Sequence, residues 1–147
     1  MTTLTLDQAT RILDSSLLRA RELNTQPLTV AVLDAGGHLV ALKREDRCGL
    51  LRPDIAYAKA WGSLGMGHGG RALAQRAEKA PAFFTALASV SQGRVVPVPG
   101  GVLIRNAQGE ILGAVGVSGD IPDKDEACAV HGIESAALVA DPGVAQH

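Results

Sequence analysis

The feature that most constrains the fold is the density of glycine inside apolar segments in the last third of the chain. Pro99-Gly100-Gly101-Val102 is followed by Gly113-Ala114-Val115-Gly116-Val117-Ser118-Gly119. Glycine loses more backbone freedom on folding than any other residue, so glycines inside strands are costly. They are kept where a backbone must bend, or where something must come close to it.

The rest of the chain supplies the elements around that segment. Thr5 and Gln8 have the spacing of a capping box, and Ala9, Ile12, Leu13, Leu17, Ala20 and Leu23 recur at helical intervals. Residues 28–33 and 38–43 read as strands joined by the turn Asp34-Ala35-Gly36-Gly37, a hairpin and therefore an antiparallel pair. Pro53 suits the first turn of a second helix that runs to about Leu64. Short helices are expected over residues 71–79 and 81–89. Residues 95–98 and 102–105 read as strands around the Pro99-Gly100-Gly101 bend. Residues 110–117 form the final strand, apolar enough to be central. A last helix opens at Pro122 and Asp123 and reaches about Val139, and the tail from about Asp141 to His147 is expected to fray. This order predicts one α/β (α+β) domain over residues 1–147, with a sheet of about five antiparallel strands covered by helices.

Composition excludes several function classes. With 14 basic and 15 acidic residues the net charge is −1, and aromatics make up only 3% of the chain. No basic stripe and almost no stacking side chains argue against nucleic-acid binding. No apolar run is long enough for a membrane span. The first residues carry neither a basic nor an apolar leader segment, and Cys48 and Cys128 lack metal-type spacing. Two free thiols in a cytoplasmic protein are the expectation. A core built from small aliphatic residues also predicts a homo-oligomer, because so small an Ala- and Gly-rich domain has apolar surface left to cover.

Several side chains can carry chemistry. Arg44 ends the second strand, and Lys59 lies mid-helix among alanines. As a pair they would clamp an anion, with Arg44 bidentate to a carboxylate. In an apolar pocket Lys59 could also titrate low enough to act as base or amine nucleophile. The blander readings are a surface ion pair of Arg44 with Glu45 or Asp46 and a snorkelling Lys59. Gly100 and Gly101 are a bend, or a stretch of bare backbone whose N–H groups hold a carboxylate. Ser118 satisfies a local backbone group or lines the ligand site. His68, in a glycine-rich loop, is the imidazole best placed to swing onto a metal. Asp120, Asp123, Asp125 and Glu126 read as capping and dipole charges of the last helix, or as a weak site for a divalent cation.

Taken in order, Ala31-Val32-Leu33-Asp34-Ala35-Gly36-Gly37, Arg44, Lys59-Ala60, Pro99-Gly100-Gly101 and the segment from Gly113 to Gly119 followed by Asp125 resemble the GlcG/HbpS heme-binding family, which includes the C-terminal domain of PduO-type proteins. The resemblance implies a profilin-like or Roadblock-like fold and a homo-oligomer of the kind encoded in catabolic operons. It also implies a small-molecule ligand, heme or another planar anion, in an apolar pocket near a subunit boundary. Arg44, Lys59, Gly100, Gly101 and Ser118 would then line the site, with Arg44 or Lys59 on a propionate and His68 as axial ligand. The alternative is a cofactor-independent isomerase or lyase acting on a small carboxylic acid or enolisable compound. There Arg44 would clamp the acid, Lys59 or His68 would move a proton, and the Gly100 and Gly101 amides would stabilise an oxyanion.

Overall fold

The computed structural model describes residues 3–143. Its elements run α1 (Leu6–Glu22), β1 (Thr29–Asp34), β2 (Leu39–Arg44), α2 (Arg52–Met66), α3 (Gly70–Lys79), α4 (Pro81–Val90), β3 (Gly101–Arg105), β4 (Ile111–Ser118), α5 (Pro122–Ser135) and β5 (Val139–Asp141). The strands form one antiparallel sheet in the order β2-β1-β4-β3-β5, an α+β arrangement.

Local chemistry explains most of these boundaries. The capping box forms: Gln8 N donates to Thr5 Oγ1, and Thr5 N to the Gln8 side chain, each at 3.0 Å. The β1–β2 turn is fixed by Asp34, whose Oδ1 accepts from the backbone of Gly36 and His38 at 3.0 Å each. Pro53 and Pro122 fall in the first turns of α2 and α5, where a missing N–H costs nothing.

Side chains alternate across the sheet, and each face has its own cover. Val30, Val32, Val102, Ile104, Val115 and Val117 point to α1 and α5 in the main core. Leu33, Leu103 and Ala114 point to α2. The α2 face also carries Ala31, Gly101 and Gly116, which pair across neighbouring strands. A Cβ on Gly116 would run into the Ala56 carbonyl, and one on Gly101 into the Lys59 carbonyl. What comes close to these glycines is therefore the backbone of α2.

Two expected elements differ. Residues 95–98 pair with no strand. Pro97 and Pro99 cannot donate to a ladder, and Val98 N turns back to Val96 O at 2.9 Å. The last helix stops at Ser135 rather than about Val139, because Ala137 adopts a left-handed φ of 59°. The chain then returns as β5 along β3, so β4 is central but not final. Asp141 belongs to β5, and residues 144–147, with His147, lie outside the described part. Cys48 and Cys128 are free and buried.

Candidate functional site

The sheet-facing stripe of α2 is the place to start. Arg52, Ala56, Lys59 and Ser63 are spaced by four, three and four residues and so share one face of the helix. Ala56 meets Gly116, while Lys59 and Ser63 meet Gly100 and Gly101. The Lys59 side chain is only 4% exposed. Its Nζ donates to the Val117 carbonyl at 2.9 Å and to Asp125 Oδ2 at 3.2 Å. Asp125, 1% exposed, sits on α5 across the sheet, and its Oδ1 accepts from Asp120 N at 3.1 Å. The pair thus joins the two helical layers past the ends of β3 and β4.

Burial governs both groups. Removal from water pushes the Lys59 ammonium below its usual range, more strongly than the Asp125 charge and hydrogen bond raise it, and Arg52 nearby adds to the lowering. Burial likewise pushes the Asp125 carboxyl up, against the opposing pull of Lys59.

This arrangement separates residues that the sequence places in one clamp. Arg44 lies exposed on the edge strand β2, two strands away from β4, and its Nη1 donates to the Cys48 carbonyl at 2.8 Å. Glu45 is bonded instead to Arg21 and Leu28 N. No contact connects Arg44 with Lys59, whose ammonium faces Asp125 and Val117. Gly100 has a φ of 118° and a Cβ there would lie 2.8 Å from Lys59 Nζ. A Cβ on Gly101 would lie 2.7 Å from Ser63 Oγ, a buried hydroxyl without a hydrogen-bond partner among the described residues. The bare backbone at this pair accommodates α2. His68 is half-buried in the α2–α3 loop, its N–H donating to the Ser63 carbonyl at 3.1 Å.

The acidic cluster also has a different use. The N-cap of α5 is Ile121, and no side chain caps it. Asp123 and Glu126 instead hold Arg71 of α3, with Glu126 Oε2 2.6 Å from Nη2. Asp120 accepts from Gln26 N at 2.7 Å. Among the described residues no three His, Cys, Asp or Glu side chains group to hold a metal ion.

Ser118 is fully buried at the end of β4, and its Oγ accepts from Arg52 Nη1 at 3.3 Å. Arg52 is the residue that sequence reasoning missed, and Asp125, read there as a capping charge or part of a weak cation site, is instead the partner of Lys59. A lysine flanked by buried alanines needs an acid, which is a signal for Asp125, but nothing local marks which acid supplies it. Arg52 stands next to Leu50 and Leu51, 87% and 62% exposed, and together with Gly49 and Ile55 they line a cleft of about 450 Å³. A second cleft, about 510 Å³, lies between α1, α3 and α5, where His131 and Arg19 face an acid-rich wall.

The sequence model of the family described as "Haem degrading protein HbpS-like" matches residues 4–134. The corrinoid adenosyltransferase PduO of Citrobacter freundii is 30% identical over 120 residues, 82% of this chain, which spans only 34% of that relative's length. The crystal structure of the PduOC heme complex superposes with a TM-score of 0.84 at 25% identity, covering 93% of this chain and 97% of that one. A double mutant of HbpS from Streptomyces reticuli superposes with a TM-score of 0.79 at 27% identity, covering 91% and 87%. No helix among the described residues is long and apolar enough to cross a membrane.

Proposed function

The chain belongs to the HbpS-like family, and from that premise we propose that it binds a small planar, carboxylate-bearing molecule, heme being the first candidate. The observation that carries this reading is the superposition on a heme complex along 93% of the chain. The cleft at Arg52 is the part of this protomer that suits such a ligand. It pairs a guanidinium with the exposed apolar surface of Leu50, Leu51 and Ile55. That fits the propionates and the ring, but not the iron. No histidine, methionine or cysteine lines the cleft. Met66, at the far end of α2, is roughly 21 Å from Arg52 along the helix axis, and His68 lies beyond it. One heme cannot touch both within a protomer. Arg52, Leu50, Leu51 and Ile55 would hold the carboxylates and the ring of heme, and this cleft offers no side chain for its iron.

A homo-oligomer is part of the proposal. The ten residues of α4 include no buried side chain and no charge, and Phe83 and Val90 are 56% and 79% exposed. An apolar helix left this bare is the kind of surface that a second copy covers. The binding reading is tested by titrating the protein with hemin. A Soret band that grows and saturates at stoichiometric hemin is the expected result, and a spectrum that stays that of free hemin overturns it.

A further inference from the structure

The cation best placed to meet a ligand is neither Arg44 nor Lys59 but Arg52. Among the described residues it forms no ion pair. Its one side-chain hydrogen bond is the long contact to Ser118 Oγ at 3.3 Å. A half-buried guanidinium with most of its five donors unused is a site for a planar anion, because its fork matches a carboxylate. The surface beside it is apolar on the cleft side. Leu50 and Leu51 are largely exposed there, although the same loop buries Cys48 against Thr29 Oγ1 at 3.2 Å. The loop is thus anchored, and its leucines are presented rather than frayed.

We propose that Arg52, with Leu50, Leu51 and Ile55, recognises a carboxylate carried on an apolar body, and that recognition does not require iron. This rests on the small-ligand reading above and sharpens it. Two sources share that chemistry, a porphyrin propionate and a fatty acid. Arg52 forks onto the carboxylate and the leucines cover the first part of the apolar body. Ser118 Oγ, already beside Nη1, holds the guanidinium in place.

The experiment measures dissociation constants for hemin, iron-free protoporphyrin IX, its dimethyl ester, and dodecanoate. Parent, Arg52→Gln and the exposed control Arg76→Gln are compared, with melting temperatures recorded for all three. Protoporphyrin IX is expected to bind about as tightly as hemin. Arg52→Gln is expected to weaken both by about 10- to 100-fold, the value of a charge-assisted hydrogen bond. Esterification should cost the parent a similar factor, and Arg76→Gln should cost nothing. If hemin binds but protoporphyrin IX does not, or if Arg52→Gln binds both like the parent, the inference fails while the heme reading stands. If neither porphyrin binds, the heme reading fails. Arg52-dependent binding of dodecanoate would then uphold the carboxylate site, and its absence would overturn it. A parent-like melting temperature for Arg52→Gln excludes loss through unfolding, and Arg52→Lys, which keeps the charge without the fork, should bind at an intermediate level.

Discussion

Replacing Asp125 by Asn tests how the buried charges are held. Asn keeps the shape and an oxygen for the Asp120 amide, whose bond to Oδ1 is 3.1 Å, but it leaves the Lys59 ammonium without its acid. Removing one partner of a buried pair costs about 3–5 kcal/mol. There is a ceiling, because the amine can shed its proton instead. Lys59 starts from a reference of 10.5, so holding it neutral at pH 7 costs about 1.36 kcal/mol for each of about 3.5 pH units, or about 5 kcal/mol. For a chain of 147 residues this lowers the melting temperature by about 6–20 °C. The sign with pH follows from linkage. In the variant the folded amine has a depressed pKa, so between that value and 10.5 the unfolded chain binds more protons and stability rises with pH. The gap between parent and variant should therefore close with rising pH, by at most about 1.4 kcal/mol per pH unit, until the lowered pKa of Lys59 in the parent is passed. Urea unfolding of parent, Asp125→Asn, Lys59→Met and the double variant, at several pH values, reads both effects. The double variant should recover part of the loss. A melt within about 2 °C of the parent at pH 7, with no convergence at high pH, would refute the charged pair and mean that amine and acid are both neutral.

Gly101→Val should cost the fold, because the new Cβ would fall on the Lys59 carbonyl and 2.7 Å from Ser63 Oγ; a loss of several kcal/mol is expected from overpacking against backbone, read by thermal unfolding, and a parent-like melt would sink the account of the close approach. Phe83→Asp on α4 should shift the mass seen by light scattering toward one 15.2 kDa chain while leaving the melting of the protomer nearly unchanged, since no residue of α4 is buried; an unchanged multimer would move the interface elsewhere.

Element type was largely legible because each signal was local. The capping box, the Asp34 turn and the first-turn prolines each act within about four residues. The failures needed distant information. Residues 95–98 look like a strand by composition, but alternate prolines remove the donors that a neighbour would require. β5 exists only because β3 offers an edge to Ala140, a fact invisible in three residues of sequence. The expected clamp came apart for the same reason. Lys59 and Arg44 are both cations near family-like motifs, yet the sheet order puts two strands between β2 and β3. The acidic run before and within α5 looks like helix capping from sequence alone. Its real partners, Lys59 and Arg71, are 66 and 55 residues away from the acids that hold them.

The glycines that first constrain the fold also decide which cation is free. Because Gly116 and Gly101 let α2 lie against β4 and β3 at backbone contact, the middle of its inner stripe is driven between the layers. Lys59, at that position, reaches Val117 and Asp125 and is sealed. Arg52 lies seven residues earlier, two turns toward the N-terminus, where β4 has ended at Ser118. It therefore overhangs the sheet and keeps its fork for an outside acid. One helix thus carries a charge for folding and a charge for binding, and perturbations at the two should separate. Asp125→Asn, assayed well below its lowered melting temperature, should bind protoporphyrin IX as the parent does. Arg52→Gln should melt as the parent does and bind poorly. If instead Asp125→Asn loses ligand in proportion to Arg52→Gln while still folded, the Lys59 ammonium is itself part of the binding surface, and the division of roles along α2 is wrong.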